Sequence, residues 1–244
     1  MTGTHVVIDR RFCGPPDSAN GGYTCGVLAR HFDGPAEVTL RRPPPLERAL
    51  DVVDGEDGKV LLVDDVEVVA EAAPARADLG FAVPAPPSVE EARKAGARCH
   101  FLVHPEAHGF PTCFVCGPSR APGDGLRILV GPLEGRDVSA DVWIPDAGLG
   151  GSDGFARTEV VWAALDCPSG LGAIDLDAEA EGAAFLLGRL AVRILGPVTT
   201  GEPHVVIGWR IAQEGRKLFG GSALFSADGR LLAVGRATWI RVAM

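Results

Sequence analysis

The sequence predicts an α+β protein built as two similar halves, each a long helix wrapped by a twisted antiparallel sheet. Three observations predict it. Both halves run in the same order: a strand, a helix, then several strands. Asp-Gly turns separate the strands, and the clearest echo sets Asp57-Gly58-Lys59-Val60-Leu61-Leu62 against Asp228-Gly229-Arg230-Leu231-Leu232. An alanine- and proline-rich segment, roughly 73–111, separates the two runs.

In the first half, 5–9 reads as a short strand, followed by a loop through Cys13-Gly14-Pro15-Pro16-Asp17. Tyr23, Val27, Leu28 and Phe32 fall at helical spacing, and Asp33-Gly34-Pro35 stops that helix. Strands follow over 37–42, 47–53, 59–63 and 66–71. The connecting segment holds one helix candidate over 88–97, where Ser88 and Glu91 form a capping box. In the second half, 138–144 alternates as a strand, and 157–165 reads as a helix stopped at Pro168 and Gly170. Strands follow over 184–195, 204–213, 217–226 and 231–242. The resulting division is 1–75 for the first repeat, 76–111 for the linker and 112–244 for the second repeat. A lone half leaves an open sheet edge, an aggregation liability that pairing the halves removes.

The chain has 244 residues, 46% of them hydrophobic and 23% charged, which is globular composition. A net charge of −9 without a dense basic stripe argues against nucleic acid, although a few arginines can still hold the phosphates of a small anion. No apolar run is long enough for a bilayer and no charged-then-apolar leader opens the chain, so a cytoplasmic protein with no membrane partner is expected. The six cysteines are too few for a disulfide scaffold.

Cys113 and Cys116 form a C-x-x-C with Cys99, His100, His104 and His108 just upstream. The spacing permits zinc if two of those four complete the ligand set, but no second close pair is present. A thioredoxin-type redox pair opens a helix after a strand, whereas here Gly117-Pro118 follows directly.

Several motifs resemble one family. Ser18-Ala19-Asn20-Gly21-Gly22-Tyr23 resembles the glycine-pair helix start of hotdog acyl-CoA thioesterases. Cys113-Phe114-Val115-Cys116-Gly117-Pro118, then Gly125-Leu126-Arg127, resembles the opening of single-hotdog thioesterase-like proteins, and Gly215-Arg216-Lys217 with Asp228 to Ala233 resembles their last hairpin. The resemblance implies a double hotdog, an acyl thioester such as acyl-CoA as substrate, and neither metal nor cofactor. It also implies a monomer or a homodimer, since one chain already carries a hotdog pair.

A thioesterase must polarise a carbonyl and deliver a nucleophile. Helix N-termini offer free N–H groups, and glycine lets a ligand approach them, so Gly21 and Gly22 are candidates for the first task. Asp166, an acid among Val160, Val161, Trp162, Ala163, Ala164 and Leu165, is the candidate for the second, as base or nucleophile. The resemblance sets the acid a few residues past the glycines. Counting back from Asp166 reaches Thr158-Glu159, and counting forward from Gly22 reaches Ala29, so each half carries one part of the motif. One composite site per chain is therefore expected, with the Gly22 N–H on the thioester carbonyl and Asp166 acting from the other half. Asn20, Tyr23, Thr158 and Glu159 are candidate substrate-binding residues. Arg41, Arg127, Arg216 and Lys217 are candidate coenzyme A phosphate ligands, and Trp162 and Trp239 read as core. The alternative is a non-catalytic acyl or acyl-CoA binder with decayed motifs. A hotdog dehydratase relies on a helix histidine, and only His31, near the end of the first helix, is available. Gly150-Gly151-Ser152-Asp153-Gly154 matches G-x-S-x-G, but it lacks the preceding strand that a nucleophile elbow requires. Cys25 and Cys167 have no nearby histidine partner in sequence.

Overall fold

The computed structural model describes residues 4–76, 78–175 and 183–243. The first half holds β1 (Thr4–Val7), α1 (Gly21–Ala29), β2 (Ala36–Leu40), β3 (Ala49–Asp54), β4 (Val60–Asp64) and β5 (Glu67–Pro74). Two helices follow, α2 (Val89–Gly96) and the single turn α3 (His100–Val103). The second half holds β6 (Gly131–Pro132), β7 (Ser139–Trp143), α4 (Thr158–Leu171), β8 (Ala183–Ile194), β9 (His204–Glu214), β10 (Lys217–Ser226) and β11 (Leu231–Ala243).

All strands among the described residues join one antiparallel sheet of 11 strands in the order β1-β3-β4-β5-β2-β8-β11-β10-β9-β7-β6. The halves fuse where β2 pairs with β8, Ala36 opposite Val192 and Thr39 opposite Arg189. That pairing satisfies the edge each half alone would expose. Helix α4 packs on β9, β10 and β11, α1 packs on β2, and the two helices pack on each other. The connecting segment does more than span: α2 sits against β7 and β9, with Ala92 and Ala95 in a satellite core with Trp209 and Phe225. Its capping box forms as read, the Ser88 hydroxyl accepting from Glu91 N–H and Glu91 Oε2 accepting from Ser88 N–H.

Two helix ends depart from the sequence reading: α1 ends at Ala29, short of Phe32 and the Asp33-Gly34-Pro35 stop, and α4 runs past its expected end. Helix α4 continues through Pro168 to Leu171. An interior proline costs roughly 3 kcal/mol, so tertiary packing must offset it. Residues 159–170 are all buried, and the last turns lie directly on the sheet. A Cβ at Gly208 would stand 1.9 Å from the Pro168 carbonyl oxygen, and one at Gly220 would stand 2.0 Å from that of Ser169. Polar ties fix the same turns: Ser222 Oγ donates to the Leu165 carbonyl at 2.7 Å, and Trp239 Nε1 donates to Ser169 Oγ at 2.9 Å. Gly208→Ala is expected to lower stability by about 1–3 kcal/mol or more, read as a fall in the urea midpoint, because backbone rather than a flexible side chain blocks the added methyl. The longer helix also changes the standing of Asp166, which lies in mid-helix and not at a C-terminal cap.

Candidate active site

Helices α1 and α4 cross antiparallel at very short range. A Cβ at Gly22 would stand 2.4 Å from Asp166 Cβ, and one at Gly26 would stand 2.4 Å from Glu159 Cα. Two glycines four residues apart lie on one helix face, so their missing side chains create the groove that admits α4. The start of α1 is thereby set against the middle of α4.

Asn20 caps α1. Its Oδ1 accepts from Tyr23 N–H at 2.9 Å, while its Nδ2 donates to Asp166 Oδ2 at 2.9 Å. Only an amide side chain supplies both the acceptor and the donor. The Gly22 N–H donates to the same Asp166 Oδ2, also at 2.9 Å. Asp166 Oδ1 is buried and makes no hydrogen bond among the described residues, although the residue lines a cavity of about 1030 Å³ together with Asn20 and Gly21. Burial pushes the Asp166 carboxyl up to about 7; the Gly22 N–H opposes that shift, the Cys113 sulfur adds to it, and the Asn20 amide opposes it.

This geometry alters one expected role. The Gly22 N–H, expected on a substrate carbonyl, is bonded to the carboxylate, and 2.9 Å leaves no room for a carbonyl between them. The Gly21 N–H, at the first position of α1 and on the cavity, has no hydrogen-bond partner among the described residues.

The other candidates separate. Tyr23 stacks on Phe12 with ring centroids 4.0 Å apart and does not line the cavity; its side chain belongs to an aromatic cluster with Phe114. Thr158 and Glu159 begin α4, about 10 Å along the helix from Asp166. Glu159 is buried opposite Gly26, pairs with Arg157 at 3.5 Å and does not line the cavity. Of the basic candidates, Arg41 lines the cavity, held by Glu71 at 2.8 Å, and Arg42 joins it; Arg127, Arg216 and Lys217 lie elsewhere. Trp239 is buried, as read, but also lines the cavity. Ser152 sits in an exposed turn with no strand directly before it, and His204 bonds the Glu202 carbonyl from β9.

Sequence reasoning missed the apolar cavity wall, which includes Phe101, Phe110, Leu171, Ile174, Phe185 and Leu187. These residues come from three separate stretches of chain, and no local pattern unites them. It also missed the approach of Cys167 to Cys113, whose sulfurs lie 3.8 Å apart.

Two crossed central helices on one antiparallel sheet, with the same plan made twice in one chain, define the double hotdog fold. Solved structures bear this out. An acyl-CoA thioesterase II, TesB2, from Mycobacterium marinum matches with a TM-score of 0.61 at 13% identity, over 98% of this chain and 93% of that one. A TesB protein from Mycobacterium avium subspecies paratuberculosis matches with a TM-score of 0.58 at 15% identity, over 94% of this chain and 89% of that one. A hot dog fold protein from Alicyclobacillus acidocaldarius matches with a TM-score of 0.53 at 12% identity, over 98% of this chain and 93% of that one. No protein-family model and no curated protein matches the chain. Among the described residues, no helix is long and apolar enough to cross a membrane.

Proposed function

We propose that the chain hydrolyses acyl thioesters, acyl-CoA or a related thioester, at one composite site built from the start of α1 and the middle of α4. The observation that carries this reading is the state of Asp166. One oxygen is fixed by two donors from the other half, and the other is buried without a partner among the described residues, on a side chain that lines the cavity. A purely structural buried carboxylate normally has both oxygens satisfied. An oriented, unsatisfied one is poised to act. The thioesterases among the fold relatives add support by analogy alone.

In this reading Asn20 and Gly22 hold Asp166, and the Gly21 N–H takes the oxygen of the thioester carbonyl. Negative charge that develops there meets the positive end of α1. Asp166 Oδ1 supplies the nucleophile by one of two routes. It attacks the carbonyl carbon, expelling the thiolate and leaving an acyl anhydride for water to cleave, or it takes a proton from an attacking water. Label in the protein carboxyl after a single turnover in ¹⁸O-water identifies the anhydride route, since water attacking the thioester directly places label only in the released acid. The apolar wall suits the acyl group, and Arg41 and Arg42, exposed at the cavity, suit an anionic carrier portion.

Thiol release from a panel of acyl-CoA esters tests the function directly. Saturable binding with no thiol release from any of them favours the binder alternative. Asn20→Ser keeps a capping oxygen but cannot reach Asp166, so turnover is expected to fall about 10-fold or more and stability by about 1.5–3 kcal/mol, the scale of one buried hydrogen bond to a charged group.

A further inference from the structure

Cys113, Cys116 and Cys167 bring three buried sulfurs within 4.8 Å of one another. The first two lie on one loop and the third is on α4. Buried thiols often act only as small apolar side chains, but several features here are those of a thiolate site. The Cys113–Cys167 separation of 3.8 Å equals the edge of a tetrahedron with sulfur bonds of ~2.3 Å, about 3.8 Å. The loop reads Cys113-Phe114-Val115-Cys116-Gly117 and closes on itself, with the Gly117 N–H donating to the Cys113 carbonyl at 2.9 Å. A Cβ at Gly117 would stand 2.4 Å from that oxygen, so the tight turn has no room for a side chain.

His108 extends the arrangement. Its Nδ1 accepts from the Phe110 N–H at 3.0 Å, so in the neutral ring Nε2 carries the proton and faces Cys116 Sγ at 3.3 Å. The ring therefore donates to a sulfur and is not itself a ligand. N–H donors of this kind orient metal-bound groups and stabilise their charge.

We infer that Cys113, Cys116 and Cys167 bind one zinc ion as thiolates, with His108 supporting Cys116 and the fourth position on the side of the cavity that all three cysteines line. Each thiol that binds releases its proton to solvent, and the metal changes no oxidation state. The set differs from every combination the sequence suggested, because the third sulfur comes from α4 and not from Cys99, His100 or His104. The inference does not rest on the hydrolase reading, since its readout is metal and not turnover.

The test uses the full chain purified under reducing conditions. Elemental analysis is expected to find one zinc per chain. Cobalt(II) exchanged for it is expected to give thiolate-to-cobalt charge-transfer absorption and the intense visible bands of a tetrahedral site. Cys113→Ser and Cys167→Ser should each lose metal, while Cys99→Ser, a buried cysteine outside the cluster, should keep it. Should the serine variants misfold, cobalt titration of the metal-stripped wild-type chain still decides the matter. Absence of the charge-transfer band there, an unchanged band in a folded Cys167→Ser protein, or a Cys113–Cys116 disulfide in metal-free protein as isolated overturns the inference.

Discussion

Asp166→Asn is expected to lower kcat for acyl-CoA hydrolysis by ~10²–10⁴-fold while leaving substrate affinity close to wild type. The substitution is nearly isosteric. The amide oxygen can still accept from the Gly22 N–H and the Asn20 Nδ2 in place of Asp166 Oδ2, so the helix crossing should hold. What the amide cannot do is attack a carbonyl or take a proton from water. A matched fall in binding would point to a structural role instead, and unchanged turnover would remove Asp166 from the chemistry. Stopped-flow thiol detection gives kcat, and calorimetry with a non-hydrolysable thioether analogue gives affinity.

The second large effect concerns the crossing that brings the two halves together. Gly26→Ala is expected to destabilise the protein by about 1–3 kcal/mol, since the new methyl would fall 2.4 Å from Glu159 Cα and 2.9 Å from Trp162 Cβ. Backbone cannot swing aside as a side-chain tip can, so the helices must move apart. For a chain of this size each kcal/mol shifts Tm by roughly 2–4 °C. Gly34→Ala is the matched control, because its Cβ meets nothing within 4 Å. Gly26→Ala should also reduce turnover although Gly26 does not line the cavity, because the same crossing sets Gly22 and Asn20 against Asp166. A stable variant with full activity would show that the crossing tolerates separation.

Where physics is local, the sequence was legible. Alternation and turn chemistry located every strand but the two-residue β6 to within a few residues, and Ser88 and Glu91 announced α2 through a cap that depends on four adjacent residues. The fold followed from the order of these elements and from the motifs that resemble hotdog proteins. Features that depend on distant backbone were hidden. Helix α4 passes Pro168 because Gly208 and Gly220, some forty to fifty positions later, let the sheet press against it. The choice of Asp166 came from an acid in an apolar run, but the partner of the Gly22 N–H depends on helix separation, which one-dimensional spacing does not carry. Thr158 and Glu159 were reached by counting a family register onto α4, and the fold leaves them at the start of that helix, with Glu159 beside Gly26. The C-x-x-C was visible at once, whereas its third sulfur was not, since residues 113 and 167 meet only after the opening loop of the second half folds against α4.

The composite site is tested most directly by a crystal structure of the full chain with a ketone analogue of an acyl-CoA, in which a methylene replaces the thioester sulfur. The account predicts the carbonyl oxygen within hydrogen-bond distance of the Gly21 N–H and the carbonyl carbon facing Asp166 Oδ1, with the acyl chain against Phe185 and Leu187. An analogue bound with its carbonyl away from both groups, or outside this cavity altogether, would contradict it.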